Sequence, residues 1–90
     1  MKNLIYQAPA TSADDTSIEV FTTNEDNVEV RIELPVVMNM SFALRFPTPT
    51  NSEETIAITT KCEAVYQTMT DTDEDLFLEG VIDTLENLRD

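Results

Sequence analysis

Carboxylates are the chemistry this sequence carries in quantity. Eighteen aspartates and glutamates stand against five lysines and arginines, with no histidine, one cysteine and one glycine, for a formal charge of −13 over 90 residues. The most regular set is Asp75, Glu79, Asp83, Glu86 and Asp90, at steps of four, four, three and four. On one flank of a helix that spacing sets consecutive carboxylates roughly 5 to 6 Å apart along the axis. A solvated helix normally interleaves signs, whereas Asp75/Glu79, Glu79/Asp83 and Glu86/Asp90 each repel by about 0.2–0.5 kcal/mol. The row costs stability, so it calls for a reason other than stability. Glu29 and Glu33, on the polar face of an alternating strand, extend the same field if the sheet and the helix flank adjoin, and Glu19 belongs with them.

Catalysis finds little support in these residues. With no histidine and a single glycine, the usual nucleophilic triads, zinc sites and phosphate-cradling loops are missing. Carboxylate pairs such as Glu53/Glu54 or Asp73/Asp75 have the residue types for acid/base work, but a domain this small offers no deep cleft around them. Asp71, Asp73 and Asp75 open like a calcium loop, yet Leu76 stands where glycine is required and Ile82 where glutamate is required. Only weak, nonspecific binding of Ca²⁺ or Mg²⁺ is expected of such a surface. Cys62, with no base nearby in sequence, reads as a small buried hydrophobe and not a reactive thiol. The expectation is a non-enzyme without cofactor or metal.

Charge also selects partners. Nucleic acid and anionic membranes are excluded as direct ligands, because five bases cannot build a phosphate-binding surface. Basic proteins fit. From Asp71 onward there are eight acids against Arg89 alone, so the charge is concentrated at one end. A halophilic proteome would give similar acidity through bulk solubility. The opening MKNLIYQAPA is too short in apolar residues for a signal segment, and a lone cysteine suits a reducing compartment. The expected location is the cytoplasm, or a host's cytoplasm for a phage product.

The elements that must position these residues follow from periodicity. Ninety residues make one domain, 1–90, able to hide roughly 60% of its unfolded surface. Leu4 to Gln7 reads as an edge strand ended by Pro9, and Ala8 to Ser17 as a loop. Ile18 to Thr23 and Val28 to Leu34 alternate around a four-residue connection, the pattern of a hairpin with one wet face. Met38, Met40, Phe42, Leu44 and Phe46 mark a third alternating strand, expected to supply the bulkiest core residues. Pro47 to Glu54 is a loop by composition. Thr55 to about Thr68 is rich in β-branched residues and reads as a long strand, bulged between Glu63 and Tyr66, with a helix starting near Cys62 as the alternative. Asp71 to Asp90 reads as a terminal helix with Thr72 as N-cap and Asp73, Glu74 and Asp75 in its first turn. Its apolar stripe is Phe77, Leu78, Val81, Ile82, Leu85 and Leu88. Gly80, inside that helix, suggests close approach of a strand or a partner. The fold class expected is α+β: an antiparallel sheet of four or five strands packed against one C-terminal helix.

Two functions fit. In the first, the acidic flank imitates a phosphate backbone and the chain is a small inhibitor or decoy of a basic nucleic-acid-binding protein. Small size and strong acidity are shared with products that phages and mobile elements direct against host nucleases or defence complexes, although no motif matches. In the second, the acids only solubilise a structural or adaptor module, such as a virion component or antitoxin, that forms homo-oligomers through an apolar sheet edge or the helix stripe.

Overall fold

Apolar residues at alternate positions, Ile18 and Val20 before a polar connection and Val28, Val30, Ile32 and Leu34 after it, demand an antiparallel pair with one buried face, and this pair is the centre of the molecule. The computed structural model describes residues 2–12, 15–35 and 39–89. Strands β1 (Asn3–Pro9), β2 (Ser17–Thr22), β3 (Asn27–Leu34) and β4 (Met40–Pro47) form a four-stranded antiparallel meander in the order β1-β2-β3-β4, followed by helices α1 (Ser52–Thr70) and α2 (Glu79–Arg89). The class is α+β, with two helices on the sheet where one was expected. Met38 lies outside the described residues.

Register explains the core. Val20 pairs with Val30 and Val30 with Leu44, while Ile18 pairs with Ile32 and Ile32 with Phe42, so all these side chains share one face. Ile18, Val20, Val28, Val30, Ile32 and Leu34 are fully buried, each contributing about 1.5–3 kcal/mol as an upper estimate. The row on β4 is different. Phe42, Leu44 and Phe46 are only half-buried and Met40 is 40% exposed, because β4 is an edge strand and the deepest burial lies over β2 and β3. The bulkiest fully buried side chain is instead Tyr66, from α1. At the hairpin tip Asp26 adopts a left-handed φ of 59°, a conformation Asp tolerates better than most residues. Its carbonyl accepts both the amide and the hydroxyl of Thr48, tying the tip to the start of the β4–α1 connection.

Residues 55–68 are helical, which corrects the reading as a bulged strand. The helix begins ten residues before Cys62, upstream of the alternative start as well. Asn51 is the N-cap, its Oδ1 accepting the Glu54 amide at 2.9 Å, and the Glu54 carboxylate reaches back to the Thr50 amide and hydroxyl. That is a capping-box arrangement shifted by one residue, with Glu53 and Glu54 at the positive end of the helix dipole. Thr55, Ile58, Thr59, Cys62 and Tyr66 form the buried stripe. Thr59 and Thr70 return their hydroxyls to carbonyls of the preceding turn, so their polarity is satisfied inside the helix. Burial pushes the Cys62 thiol up to about 12, which keeps it protonated and inert.

The terminal helix is shorter than its acidic and apolar periods suggest. Asp71 ends α1 in a left-handed conformation, φ 52°, and residues 72–78 form neither helix nor strand. Thr72 does not cap a helix; its hydroxyl accepts the Glu74 amide two residues on, a local turn. Val81 and Leu85 are fully buried, Leu78, Ile82 and Leu88 half-buried, and Phe77 leaves the stripe altogether, 52% exposed. Gly80 has a clear reason. A Cβ there would overlap the phenol ring and hydroxyl of Tyr6 from β1, so strand and helix meet with no room for a larger residue unless the Tyr6 ring moves. Among the described residues no helix is long and apolar enough to cross a membrane.

Candidate acidic docking site

From Asp71 to Glu79, the non-helical link between α1 and α2 and its two ends, exposure alternates without a break. Asp71, Asp73, Asp75, Phe77 and Glu79 are exposed, Thr72, Glu74 and Leu78 half-buried, and Leu76 buried. Along this stretch the exposed carboxylates recur at every second residue from Asp71 to Asp75. The row then continues onto α2 with Asp83, exposed one turn beyond Glu79. No lysine or arginine interrupts the chain between Lys61 and Arg89.

Tertiary hydrogen bonds hold this ribbon out of a helix. The Glu74 carboxylate accepts the Ser12 hydroxyl at 2.7 Å and the Ser12 amide at 3.2 Å, across 62 residues of sequence. Phe77 donates its amide to the Ala10 carbonyl at 2.6 Å, and Leu76 donates its amide to Glu63 of α1 at 2.8 Å. The segment is therefore clamped on one side by the β1–β2 loop and on the other by α1. Burial pushes the Glu63 carboxyl up, the Leu76 amide pulls it down, and the neighbouring Asp75 carboxylate pushes it up again. The Tyr66 phenol beneath the ribbon is also pushed up, first by burial and then by the Glu74 charge, against hydrogen bonds with Thr11 and Thr70.

The residues singled out from sequence do not form one flank. Asp75 is exposed on the ribbon and not on a helix, so its spacing to Glu79 is not the helical one. Glu79 and Asp83 are exposed on α2, while Glu86 is half-buried and engaged within the chain. Asp90 lies outside the described residues. Glu29 and Glu33 lie on the sheet face turned away from the helices, so they cannot extend the helical row. Glu29 is moreover unavailable. It is 5% exposed, and its carboxylate meets Lys2 at 2.9 Å, Arg45 at 3.3 Å and Arg31 at 3.6 Å. The Lys2 hydrogen bond holds its pKa below the ordinary glutamate value; burial opposes that, and the Arg45 hydrogen bond and the Lys2 and Arg31 charges add to it. Lys2 and Arg31 also lie over the Phe21 ring, 5.2 and 5.7 Å from its centroid. Glu33 is half-buried near Glu19, whose carboxyl is pushed up by burial and by the Glu33 charge.

Charge is thus sorted by side. Lys2, Arg31 and Arg45 meet Glu19, Glu29 and Glu33 on the outer sheet face, which is close to neutral, while the ribbon and α2 keep a row of one sign. Reading the acids by helical period alone missed Asp71 and Asp73 as members of that row; the alternation D-x-D-x-D over residues 71–75 was the signal that could have included them. Among the described residues no group of three or more histidine, cysteine, aspartate or glutamate side chains is gathered so as to hold a metal ion. The chain matches no protein-family model, no curated protein sequence and no solved structure, so the site is read from its own geometry.

Proposed function

We propose that this chain is an acidic decoy that docks on a basic, nucleic-acid-handling protein and occupies the groove meant for a phosphate backbone, acting in the cytoplasm without a catalytic step of its own. The observation that carries this reading is the exposed, one-signed row of Asp71, Asp73, Asp75, Glu79 and Asp83, held rigid by bonds from Glu63, Ala10 and Ser12. A rigid array loses little conformational freedom on docking, and a surface of one sign steers a basic partner, raising association rates by ~10- to 1000-fold at low salt. Sequestering three of the five bases around Glu29 on the opposite face keeps the row uncompensated. Products of this character are what a phage or mobile element would direct against a host nuclease or defence complex.

The test replaces Asp73→Asn, Glu79→Gln and Asp83→Asn together and follows affinity for a basic partner, recovered by pull-down from host lysate, against ionic strength. The expected result is an unchanged melting temperature, weaker binding and a shallower salt dependence, with duplex DNA competing for the same partner. Simultaneous binding of DNA and wild-type protein, with undiminished binding by the triple variant, would refute the decoy.

A second reading rests on β4. This eight-residue edge strand has no bulge, no carboxylate and an exposed Met40, whereas the other edge, β1, is broken by an irregularity between Leu4 and Tyr6. A free, flat edge is a template for strand addition, which suits an oligomerising structural module. Salt-insensitive self-association in sedimentation, abolished by Leu44→Lys, favours that reading over the decoy.

A further inference from the structure

Phe77 is the residue the acidic row does not account for. A large aromatic half in water, flanked at alternate positions by Asp75 and Glu79, is held there by its own amide bond to Ala10 and by the burial of Leu76 beside it. It is neither a loose tip nor a core residue that slipped. The same chain shows what such a combination does when cations are available. On the outer sheet face Phe21 stands directly across from Glu29, and Lys2 and Arg31 each lie over the ring while reaching the carboxylate. Aromatic face and carboxylate together make a seat for a side-chain cation. Phe77 is exposed with a carboxylate two residues away on each side, Glu79 exposed and Asp75 beside Glu63, and the chain between Lys61 and Arg89 supplies no cation.

We infer that Phe77, with Glu79, is an arginine anchor: it seats a guanidinium of the partner flat on the exposed ring while the neighbouring carboxylate takes its N–H donors. This rests on the decoy reading and sharpens it, because it names an arginine-bearing basic surface over a lysine-bearing one. The distinction is physical. At an open surface an ammonium keeps its water, whereas the planar, weakly hydrated guanidinium stacks on a ring and still offers donors at its edge to a carboxylate. The carboxylates of Asp73 and Asp83, farther from Phe77 in the row, attract either cation by charge alone.

The experiment uses the full chain and two fluorescent probes of equal charge, nona-arginine and nona-lysine, titrated at one ionic strength. Wild type is expected to hold nona-arginine tighter by roughly 3- to 30-fold. Phe77→Leu, which keeps apolar bulk without a π face, and Phe77→Ala are expected to erase that preference while leaving nona-lysine affinity unchanged; Phe77→Tyr retains it. The exposed position makes these substitutions compatible with folding, and circular dichroism melts of each variant check this. Equal affinity of wild type for the two peptides overturns the anchor, as does a preference that survives Phe77→Leu. If both peptides bind equally and lose affinity with salt and with the Asp73/Glu79/Asp83 variant, the anchor alone fails; if neither binds, the decoy reading fails with it.

Discussion

Glu29→Gln separates the carboxylates that hold the fold from those offered to a partner. The wild-type carboxylate takes charged hydrogen bonds from Lys2 and Arg45 and a longer ion pair from Arg31. Breaking a fully buried pair costs about 3–5 kcal/mol, and exposed pairs contribute about 0.2–1 kcal/mol each. Glu29 falls between these limits: it is itself covered, but it lies on the open sheet face beneath side chains that are 35–53% exposed, so its cover is thin and water screens the cations. Gln keeps the shape and one acceptor, which leaves about 1–3 kcal/mol as the loss, or a fall in Tm of roughly 4–20 °C for a domain of this size. Because Lys2 and its neighbours depress the folded-state pKa of Glu29, the contribution is complete above the ordinary glutamate value and is lost as pH falls through the depressed one. Thermal melts of wild type and variant at pH 7 should therefore differ, and the gap should close toward pH 3. Binding of the basic partner should not change. A gap under about 0.5 kcal/mol at pH 7, or one that persists undiminished at pH 3, would refute the reasoning.

Two further outcomes follow from the same structure. Glu63 and Glu19 are pushed up by burial and by neighbouring carboxylates, so the folded state binds more protons than the unfolded one just above the ordinary glutamate value, and stability rises as pH falls into that window. Below it Glu29 and Glu54, both depressed, reverse the trend; a Tm profile from pH 7 to pH 3 should pass through a maximum, flattened on its neutral side by Glu63→Gln, and a steady decline from pH 7 would contradict this. Gly80→Ala should gain nothing while Tyr6 is present, because its ring must leave α2, offsetting up to about 1 kcal/mol of helix propensity. In a Tyr6→Thr background the same change should stabilise, and a double-mutant cycle with no coupling between the two sites would show that they do not meet.

Sequence alone determined what depends on local period and on charge. The β2–β3 hairpin is legible because Val28, Val30, Ile32 and Leu34 alternate with Glu29, Arg31 and Glu33, and one register alone buries them all. The β1 edge, the apolar α2 stripe from Val81 to Leu88 and the reason for Gly80 were legible in the same way. Helix α1 was misread: its cap residues Asn51 to Glu54 fell in a stretch read as loop, and the β-branched Thr55, Ile56, Ile58, Thr59, Thr60 and Val65 argued for a strand. Tertiary burial of Ile58, Cys62 and Tyr66 on one helical stripe overrode a propensity that amounts to tenths of a kcal/mol per residue. What only the tertiary structure decided is the acidic site itself. Residues 72–78 leave the helical path because Glu63 and Ala10, far away in the chain, take the Leu76 and Phe77 amides a helix would have paired, while Ser12 ties down the Glu74 carboxylate. That exchange turns Asp73 and Asp75 into members of a ribbon and puts Phe77 in water. Glu29 likewise reads as a partner-facing acid until the register brings Lys2, Arg31 and Arg45 onto it. Periodicity assigns a face to each residue, but which charges meet across that face depends on strands and loops arriving from elsewhere.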